Sequence, residues 1–253
     1  MVDERDALRL DLSQAPDRWP VLPPCRAAVL CAAITSLEQC RRDPIGTRKV
    51  NAEHTLALAQ RLAEQGAFVV FLSTNLVFDG TKPLRLADEA TCPQTEYGRQ
   101  KAAVEAGLAA LGVRHAVVRL AKVFHSGLPL VRDWMDSLRA GKPITPFADM
   151  VCAPITLDTV LQGLARVAEN ELEGRWQFSP LEDVSYAAIA TEVGRLVQAD
   201  LSLIRPGSAR QLASLEHLPA HTTLDARETR AKLGLDFPEA SRVIAQSLGR
   251  VKS

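Results

Sequence analysis

The amino-acid sequence predicts an α/β fold built around a parallel, doubly wound β-sheet. Short, almost continuous apolar runs alternate with amphipathic stretches of helical period. That alternation is typical of parallel strands covered by helices on both faces. The chain has 253 residues, of which 47% are hydrophobic, so it is long enough and apolar enough to bury a large core.

Three apolar runs in the first half of the chain predict strands, at residues 26–33, 67–73 and 115–120. The segments between them predict helices. Residues 46–66 place apolar side chains on one stripe and end at Gly66, and residues 97–111 end at Gly112. Because strands and helices alternate in this order, we expect the strands to run parallel.

The second half of the chain is less regular. Helical patterns cover residues 133–141, 157–172, 185–198, 225–235 and 238–248. Ser185 is the expected N-cap of the third of these helices. Residues 174–179 predict one more short strand, and no internal repeat is present.

Charge and composition exclude several classes of partner. Lys and Arg number 30, as do Asp and Glu, so no basic excess predicts a nucleic-acid or anionic membrane partner. Residues 1–10 lack the apolar core of a signal peptide, and no run approaches the roughly 18 apolar residues of a membrane helix. The five cysteines form no CxxC pair, which predicts reduced thiols, no metal site and a cytoplasmic protein.

The most informative local pattern is the pair Tyr97 and Lys101. Four residues apart on a predicted helix, the two side chains share one face. A lysine ammonium beside a phenol favours the phenolate, so we expect the pKa of Tyr97 to be lowered from about 10. Such a tyrosine can exchange a proton with a hydroxyl or carbonyl oxygen. The same spacing also arises by chance, so context decides its meaning.

Ser73 and Thr74 provide that context, because they end the strand predicted at residues 67–73. The carboxyl ends of parallel strands are where open α/β sheets bind ligands. A hydroxyl there can hold a substrate oxygen while Tyr97 exchanges the proton. Thr74 would otherwise be an ordinary capping residue.

Four segments, in this order and spacing, carry a family resemblance: VNAEHTLALAQ, FLSTNLVFDG, EYGRQKAAVE and VVRLAKVF. The chain resembles the extended short-chain dehydrogenases/reductases, and within them the dTDP-4-dehydrorhamnose reductase-like branch. The resemblance implies a Rossmann-like sheet and covers residues 8–248. It also implies a cofactor-binding part at residues 1–127 and a mainly substrate-binding part at residues 128–253. One strand and one helix near residues 156–179 would return to the sheet.

The resemblance implies a catalytic triad of Thr74, Tyr97 and Lys101. Tyr97 would protonate the C4 carbonyl oxygen of a nucleotide-linked sugar, Lys101 would hold the nicotinamide ribose, and Thr74 would bind the reacting oxygen. The implied cofactor is NADPH or NADH. Its further contacts would come from Asp11, Ala32, Ala33 and Ser73, and the sugar would also meet Asn75 and Lys122. Asp11 is equally well explained as a turn or helix-cap residue.

The sequence departs from the family at its start. The family opens with a strand, a glycine-rich turn and a helix that binds the cofactor diphosphate, whereas the first glycine here is Gly46 and no GxGxxG occurs. An N-terminal truncation and a short relative without normal cofactor binding both explain this. We favour truncation, because losing a central strand exposes apolar strand edges. If the chain folds as given, we expect residues 8–12 to pair beside residues 27–31.

Two functional hypotheses follow. The first is an NAD(P)H-dependent reductase of a nucleotide-linked 4-keto sugar. The second is a non-catalytic binding or regulatory relative, favoured by the missing glycine turn and by altered positions that face the sugar in the family. Asn75 and Leu76 lack the acid and base groups that an epimerase or dehydratase would add. A homodimer is compatible with the sequence, although no exposed apolar stripe specifies one.

Overall fold

A computed structural model describes residues 7–125, 127–211 and 217–248. Its strands are β1 (Ala27–Leu30), β2 (Phe68–Thr74), β3 (His115–Leu120), β4 (Lys122–Phe124), β5 (Val151–Cys152), β6 (Pro154–Thr156), β7 (Gly174–Phe178) and β8 (Val184–Ser185). Its α-helices are α1 (Leu37–Arg42), α2 (Pro44–Arg48), α3 (Thr55–Glu64), α4 (Glu96–Leu111), α5 (Pro129–Arg139), α6 (Leu157–Glu169), α7 (Tyr186–Leu196), α8 (Arg227–Leu233) and α9 (Ala240–Leu248). Within the described ranges, no helix is long and apolar enough to cross a membrane.

The main sheet has the strand order β1-β2-β3-β7, and every neighbouring pair is parallel. Alternate residues of β2 point to opposite faces. Val69 and Phe71 pack in a core with residues of α3 and α4, while Phe68 and Val70 pack in a second core with residues of α6 and α8. Both faces of the sheet are therefore buried, which explains the continuous apolar runs and confirms the predicted fold class.

A third core lies in the second half of the chain. Helices α5, α7 and α9 pack there with Phe124 of β4 and Cys152 of β5. The rings of Trp134 and Tyr186 meet edge to face, with their centroids 6.4 Å apart. The predicted N-cap is confirmed, because Ser185 accepts a hydrogen bond from the backbone of Ala188.

The long helix predicted over residues 46–66 is interrupted. A π-helical turn, Lys49–His54, joins α2 to α3 and contains the fully buried Asn51. Its side chain accepts from the backbone N–H of Ile34 (2.7 Å) and donates to the Ile34 carbonyl (2.9 Å) and to Gln100 of α4 (2.7 Å). Asn51 thus ties the loop after β1 to helix α4.

The expected pairing of residues 8–12 with residues 27–31 is wrong. The described residues of that segment form no strand, and β1 pairs with β2 alone. Two of its apolar side chains are covered in another way: Leu12 is buried, and the partly buried Leu10 packs against the core of α3 and α4, whereas Leu8 is 48% exposed. The segment also curls into turns, because Ser13 donates to the Asp11 carboxylate and the Trp19 indole donates to the Asp11 carbonyl.

Helix α4 offers a direct test of this packing. Leu108 is fully buried between α4 and the sheet, so Leu108→Ala leaves a cavity and is expected to lower the free energy of unfolding by about 2–5 kcal/mol. Leu111 ends the same helix with 40% of its surface exposed, and Leu111→Ala is expected to cost about 0.5 kcal/mol or less. Urea unfolding of both variants makes the comparison; equal losses would contradict the described packing.

Candidate active site

Two elements bring the predicted triad to the carboxyl edge of the sheet. Thr74 is the last residue of β2 and lies opposite Leu120, the last residue of β3. Tyr97 and Lys101 lie in the first half of α4, which packs on β2. The predicted helix is therefore confirmed, and Tyr97 and Lys101 lie one turn apart on it. All three residues lie near the same end of β2.

A close backbone contact fixes the start of α4. Thr95 caps the helix by accepting a hydrogen bond from the backbone N–H of Gly98 (3.1 Å). A Cβ atom at Gly98 would lie 2.2 Å from the carbonyl oxygen of Leu76, so only glycine permits this approach. Leu76 belongs to the 3₁₀ turn Asn75–Val77 that directly follows Thr74. The contact therefore sets the position of Tyr97 relative to Thr74.

Lys101 reaches back to the sheet. Its ammonium donates a hydrogen bond to the Leu72 carbonyl (2.7 Å) and lies 4.5 Å from the centre of the Phe71 ring. The distance from Nζ to the centre of the Tyr97 ring is 5.8 Å. Only 2% of Lys101 is exposed, so its charge is largely removed from water. The side chain is pinned beside Tyr97 but does not bond to it.

The expected lowering of the Tyr97 pKa is wrong. Burial, and secondarily the nearby Cys40 thiol, raise the pKa of Tyr97 to about 12. Burial also lowers the pKa of Lys101 to about 8, although Cys31 and Glu105 favour its charged form. Desolvation disfavours the charged form of each group and is the largest cause of both pKa shifts. At neutral pH, Tyr97 is a protonated phenol that can act as an acid.

The Tyr97 hydroxyl remains available for a ligand, and the Thr74 hydroxyl is held only by a long hydrogen bond. Within the described part of the chain, no group accepts a hydrogen bond from the Tyr97 hydroxyl. Thr74 Oγ1 accepts from the backbone of Leu76 (3.2 Å) and donates to Asn75 Oδ1 over a long 3.3 Å. An oxygen placed between Tyr97 and Thr74 could accept a hydrogen bond from both.

The residues predicted to meet the cofactor are only partly assembled. Ala32, which is exposed, and the half-buried Ala33 follow β1 at the carboxyl edge of the sheet. Ser73 is 5% exposed, and its hydroxyl donates to Glu105 (2.5 Å), so its proton is already used. The hydrogen bonds of Asp11 join it to Ser13, Gln14 and Trp19, as in its turn interpretation.

The residues predicted to meet the sugar lie on two sides of the edge. Asn75 is in the turn after Thr74, and Lys122 is exposed at the start of β4, two residues after Leu120. Lys122 lines an apolar cavity of about 280 Å³ whose wall includes Phe124 and Trp134. This cavity has room for a ring-sized group beside a positive charge.

Sequence reasoning missed the polar groups that support this site. Glu105 lies one turn beyond Lys101, and its carboxylate forms a buried ion pair with Arg119 of β3 (2.6 Å). Gln100 is fully buried and donates to Thr47 (2.9 Å). Two signals could have found the ion pair: Glu105 continues the four-residue spacing of Tyr97 and Lys101, and Arg119 interrupts an apolar strand.

The comparisons with known proteins agree with this architecture. Residues 22–253 match the family described as the RmlD substrate binding domain. The chain belongs to this family. Among its relatives, a dTDP-4-dehydrorhamnose reductase from Streptomyces griseus is 30% identical over 80% of this chain and 69% of its own length. A protein of the same name from Sinorhizobium fredii is 26% identical over 83% of this chain and 75% of its own length.

Solved structures of RmlD relatives share the fold. A dTDP-4-dehydrorhamnose reductase from Clostridium acetobutylicum has a TM-score of 0.80 and 22% identity, over 88% of this chain and 80% of that protein. One from Bacillus anthracis, solved with NADP, also has a TM-score of 0.80, with 19% identity over 89% of this chain and 81% of that protein. These likenesses establish the Rossmann-like architecture.

The contact at Gly98 makes a specific prediction. In Gly98→Ala, the new methyl group must push the first turn of α4 away from the Leu76 carbonyl, which is expected to lower the free energy of unfolding by about 1–3 kcal/mol. Gly107→Ala is the matched control on α4, because its methyl group meets only the flexible end of Leu56 and alanine favours the helix by up to about 1 kcal/mol. Chemical unfolding of both variants tests the contact, and a neutral Gly98→Ala would refute it.

Proposed function

We propose that this protein is an NADPH- or NADH-dependent reductase of a nucleotide-linked 4-keto sugar, of the dTDP-4-dehydrorhamnose reductase kind. One observation carries the proposal beyond family membership. Tyr97 is a protonated phenol without a protein acceptor in the described residues, and its ring centre lies 5.8 Å from the Lys101 ammonium, at the sheet edge where β2 ends in Thr74. A carbonyl oxygen bound there would meet a proton donor on one side and a hydroxyl on the other.

The residues at the carboxyl edge of the sheet fit one half of a dinucleotide cofactor, the half that carries the nicotinamide. The nearly buried Lys101 ammonium gives only one of its three protons to a protein acceptor in the described residues, and Ala32 and Ala33 leave room at the adjacent strand end. When bound, a reduced nicotinamide supplies a hydride to the carbonyl carbon. Since the sequence contains no glycine-rich turn, we assign only the nicotinamide half to residues of this chain.

Each residue of the triad then has one task. Tyr97 transfers its phenolic proton to the C4 oxygen as the carbon accepts the hydride, so the ketone becomes an alcohol. Lys101 holds the nicotinamide ribose and stabilises the phenolate that Tyr97 becomes. Thr74 donates a hydrogen bond to the same C4 oxygen. A proton from solvent restores Tyr97 for the next turnover.

The sugar nucleotide is expected to lie on the side of the third core. The Lys122 ammonium at the cavity rim suits the negative charge of a diphosphate, and the apolar wall suits a ring. Because Lys122 and Asn75 lie near the strand end that carries Thr74, we propose that they bind the substrate.

The second candidate is a binding or regulatory relative without turnover. The absence of a glycine-rich turn from the 253 residues favours it. Titration of the protein with NADPH and NADH, followed by fluorescence quenching, separates the two functions. Saturable binding below millimolar concentration supports the reductase, and no signal at millimolar cofactor supports the non-catalytic candidate.

The proposed role of Tyr97 as a proton donor predicts the effect of removing its hydroxyl group. Tyr97→Phe removes the proton donor but keeps the ring, so kcat for the keto sugar is expected to fall about 100- to 10,000-fold. The Kd of the cofactor is expected to change less than about threefold, and its titration is the control for folding. Retained turnover in this variant would remove Tyr97 from the mechanism.

The pKa of Lys101 predicts the pH dependence. Below about pH 8 the ammonium is charged and supports the developing phenolate; above that value it loses its proton, so kcat/KM is expected to decline. Tyr97 stays protonated throughout, since its pKa is about 12. In Lys101→Arg the charge persists to high pH, and the decline near pH 8 is expected to vanish. If the alkaline decline of kcat/KM persists in Lys101→Arg, the titration of another group causes it.

A further inference from the structure

Residues 219–225 lie along the loop that leaves the site after Thr74, and we call them the C-terminal strap. The strap runs beside this loop, although 139 positions separate Leu84 from Thr223. Three hydrogen bonds join the two segments: from the His221 N–H to the Gly80 carbonyl (3.0 Å), from the Leu84 N–H to Thr223 Oγ1 (3.1 Å) and from the Asp225 N–H to the Arg85 carbonyl (3.0 Å).

The strap and the loop come very close at Gly80. This residue has a left-handed backbone (φ +68°), and a Cβ atom there would lie 2.3 Å from the Cβ atom of Pro219. The cavity that remains between the strap and residues Asn75 and Leu76 has a volume of about 10 Å³, room for no more than one water molecule. The two segments are therefore closely packed, and a shift of one is opposed by contact with the other.

Leu224 is the apolar anchor of the strap. It is 1% exposed and forms a small core with Val77 and Phe78, against which Ala102 of α4 packs. Val77 belongs to the 3₁₀ turn that directly follows β2, and Ala102 lies on the helix that carries Tyr97. Leu224 thus belongs to the small core at the place where the turn packs on α4.

The strap is also held by residues at the end of β7. The buried Ser179 accepts a hydrogen bond from the backbone N–H of Leu224 (3.0 Å). The fully buried Gln177 donates to the carbonyls of Asp225 (3.0 Å) and Arg85 (2.8 Å), so a single amide group binds both the strap and the loop. The position of Leu224 is therefore fixed by the sheet and does not depend on the loop alone.

The turn Asn75–Val77 determines where the Thr74 hydroxyl points. Thr74 Oγ1 accepts a hydrogen bond from the backbone N–H of Leu76 (3.2 Å) and donates to Asn75 Oδ1 (3.3 Å), and both partners belong to the turn. A shift of the turn would therefore rotate or displace this hydroxyl. A displacement of about 1 Å in a group that orients a reacting atom can lower a rate about 100-fold.

We propose that Leu224 is a positioning residue: from the strap, it holds the turn that orients the Thr74 hydroxyl beside α4. The catalytic meaning of this inference rests on the proposed function. Leu224 acts through Val77 and the rest of the turn, and it is not itself a catalytic residue. Because the cofactor residues Ala32 and Ala33 follow β1 and not β2, we expect Leu224 to affect kcat and not the Kd of the cofactor.

The methyl group of Thr74 reports the position of the turn without requiring turnover. The protein is labelled with ¹³C at the threonine methyl groups, and the Thr74 signal is assigned by its loss in Thr74→Ser. Leu224→Ala is expected to shift this signal by more than its linewidth. Leu233→Ala is the matched control, because Leu233 is 4% exposed but packs in the core of α6 and α8. The control is expected to leave the Thr74 signal in place.

Turnover provides a second readout. With the active enzyme, Leu224→Ala is expected to lower kcat for the keto sugar about 10- to 100-fold, while the Kd of the cofactor stays within about threefold of the wild-type value. Leu233→Ala is expected to change kcat less than about threefold. Leu224→Met keeps the volume of the side chain, so it is expected to restore kcat to within about threefold of the wild-type value.

Two results would overturn the inference: an unchanged Thr74 signal in folded Leu224→Ala, or equal shifts of that signal in Leu224→Ala and Leu233→Ala. If Leu224→Ala does not fold, Leu224→Val creates a smaller cavity, and the same shift of the Thr74 signal is expected. A wild-type protein without turnover would refute the proposed reductase, yet the Thr74 signal would still decide the role of Leu224.

Discussion

Docking of the first half of α4 on the carboxyl end of β2 is the contact on which the site depends. It combines a backbone approach that only Gly98 allows with the hydrogen bond from Lys101 to the Leu72 carbonyl. Neither contact involves a reacting atom. Together they decide whether Tyr97, carried by a helix, lies close to Thr74, which is carried by a strand. The rest of the fold supports this contact: the α3 and α4 core holds the helix down, and Asn51 ties the neighbouring loop to it.

The docking buries two ionisable side chains, and burial has opposite effects on them. It keeps the Tyr97 phenol protonated, as reduction of a ketone requires, and it pushes Lys101 towards its neutral form. Cys31 at the end of β1 and Glu105 on α4 oppose the second effect only in part.

Much of this arrangement could be predicted from the sequence, and the failures have physical causes. Strand β3 and the shared face of Tyr97 and Lys101 follow from short-range patterns, since apolar runs and helical spacing are local properties. The direction of the Tyr97 pKa shift could not be predicted, because it depends on how deeply tertiary packing buries the ring. The segment at residues 8–12 shows the same limit: Leu10 packs against the core of α3 and α4 without any strand pairing to β1, which the apolar pattern alone does not reveal. Glu105 and Arg119 are 14 positions apart and meet only when α4 lies on the sheet.

In the proposed reaction, Tyr97 delivers a proton to the C4 oxygen of a nucleotide-linked sugar at the end of β2. A crystal structure with a dTDP-linked 6-deoxysugar and oxidised cofactor tests this most directly. We predict that the C4 oxygen lies within about 3.2 Å of both the Tyr97 hydroxyl and Thr74 Oγ1. A bound sugar whose C4 oxygen lies on other groups, with Tyr97 out of hydrogen-bond reach, would contradict it.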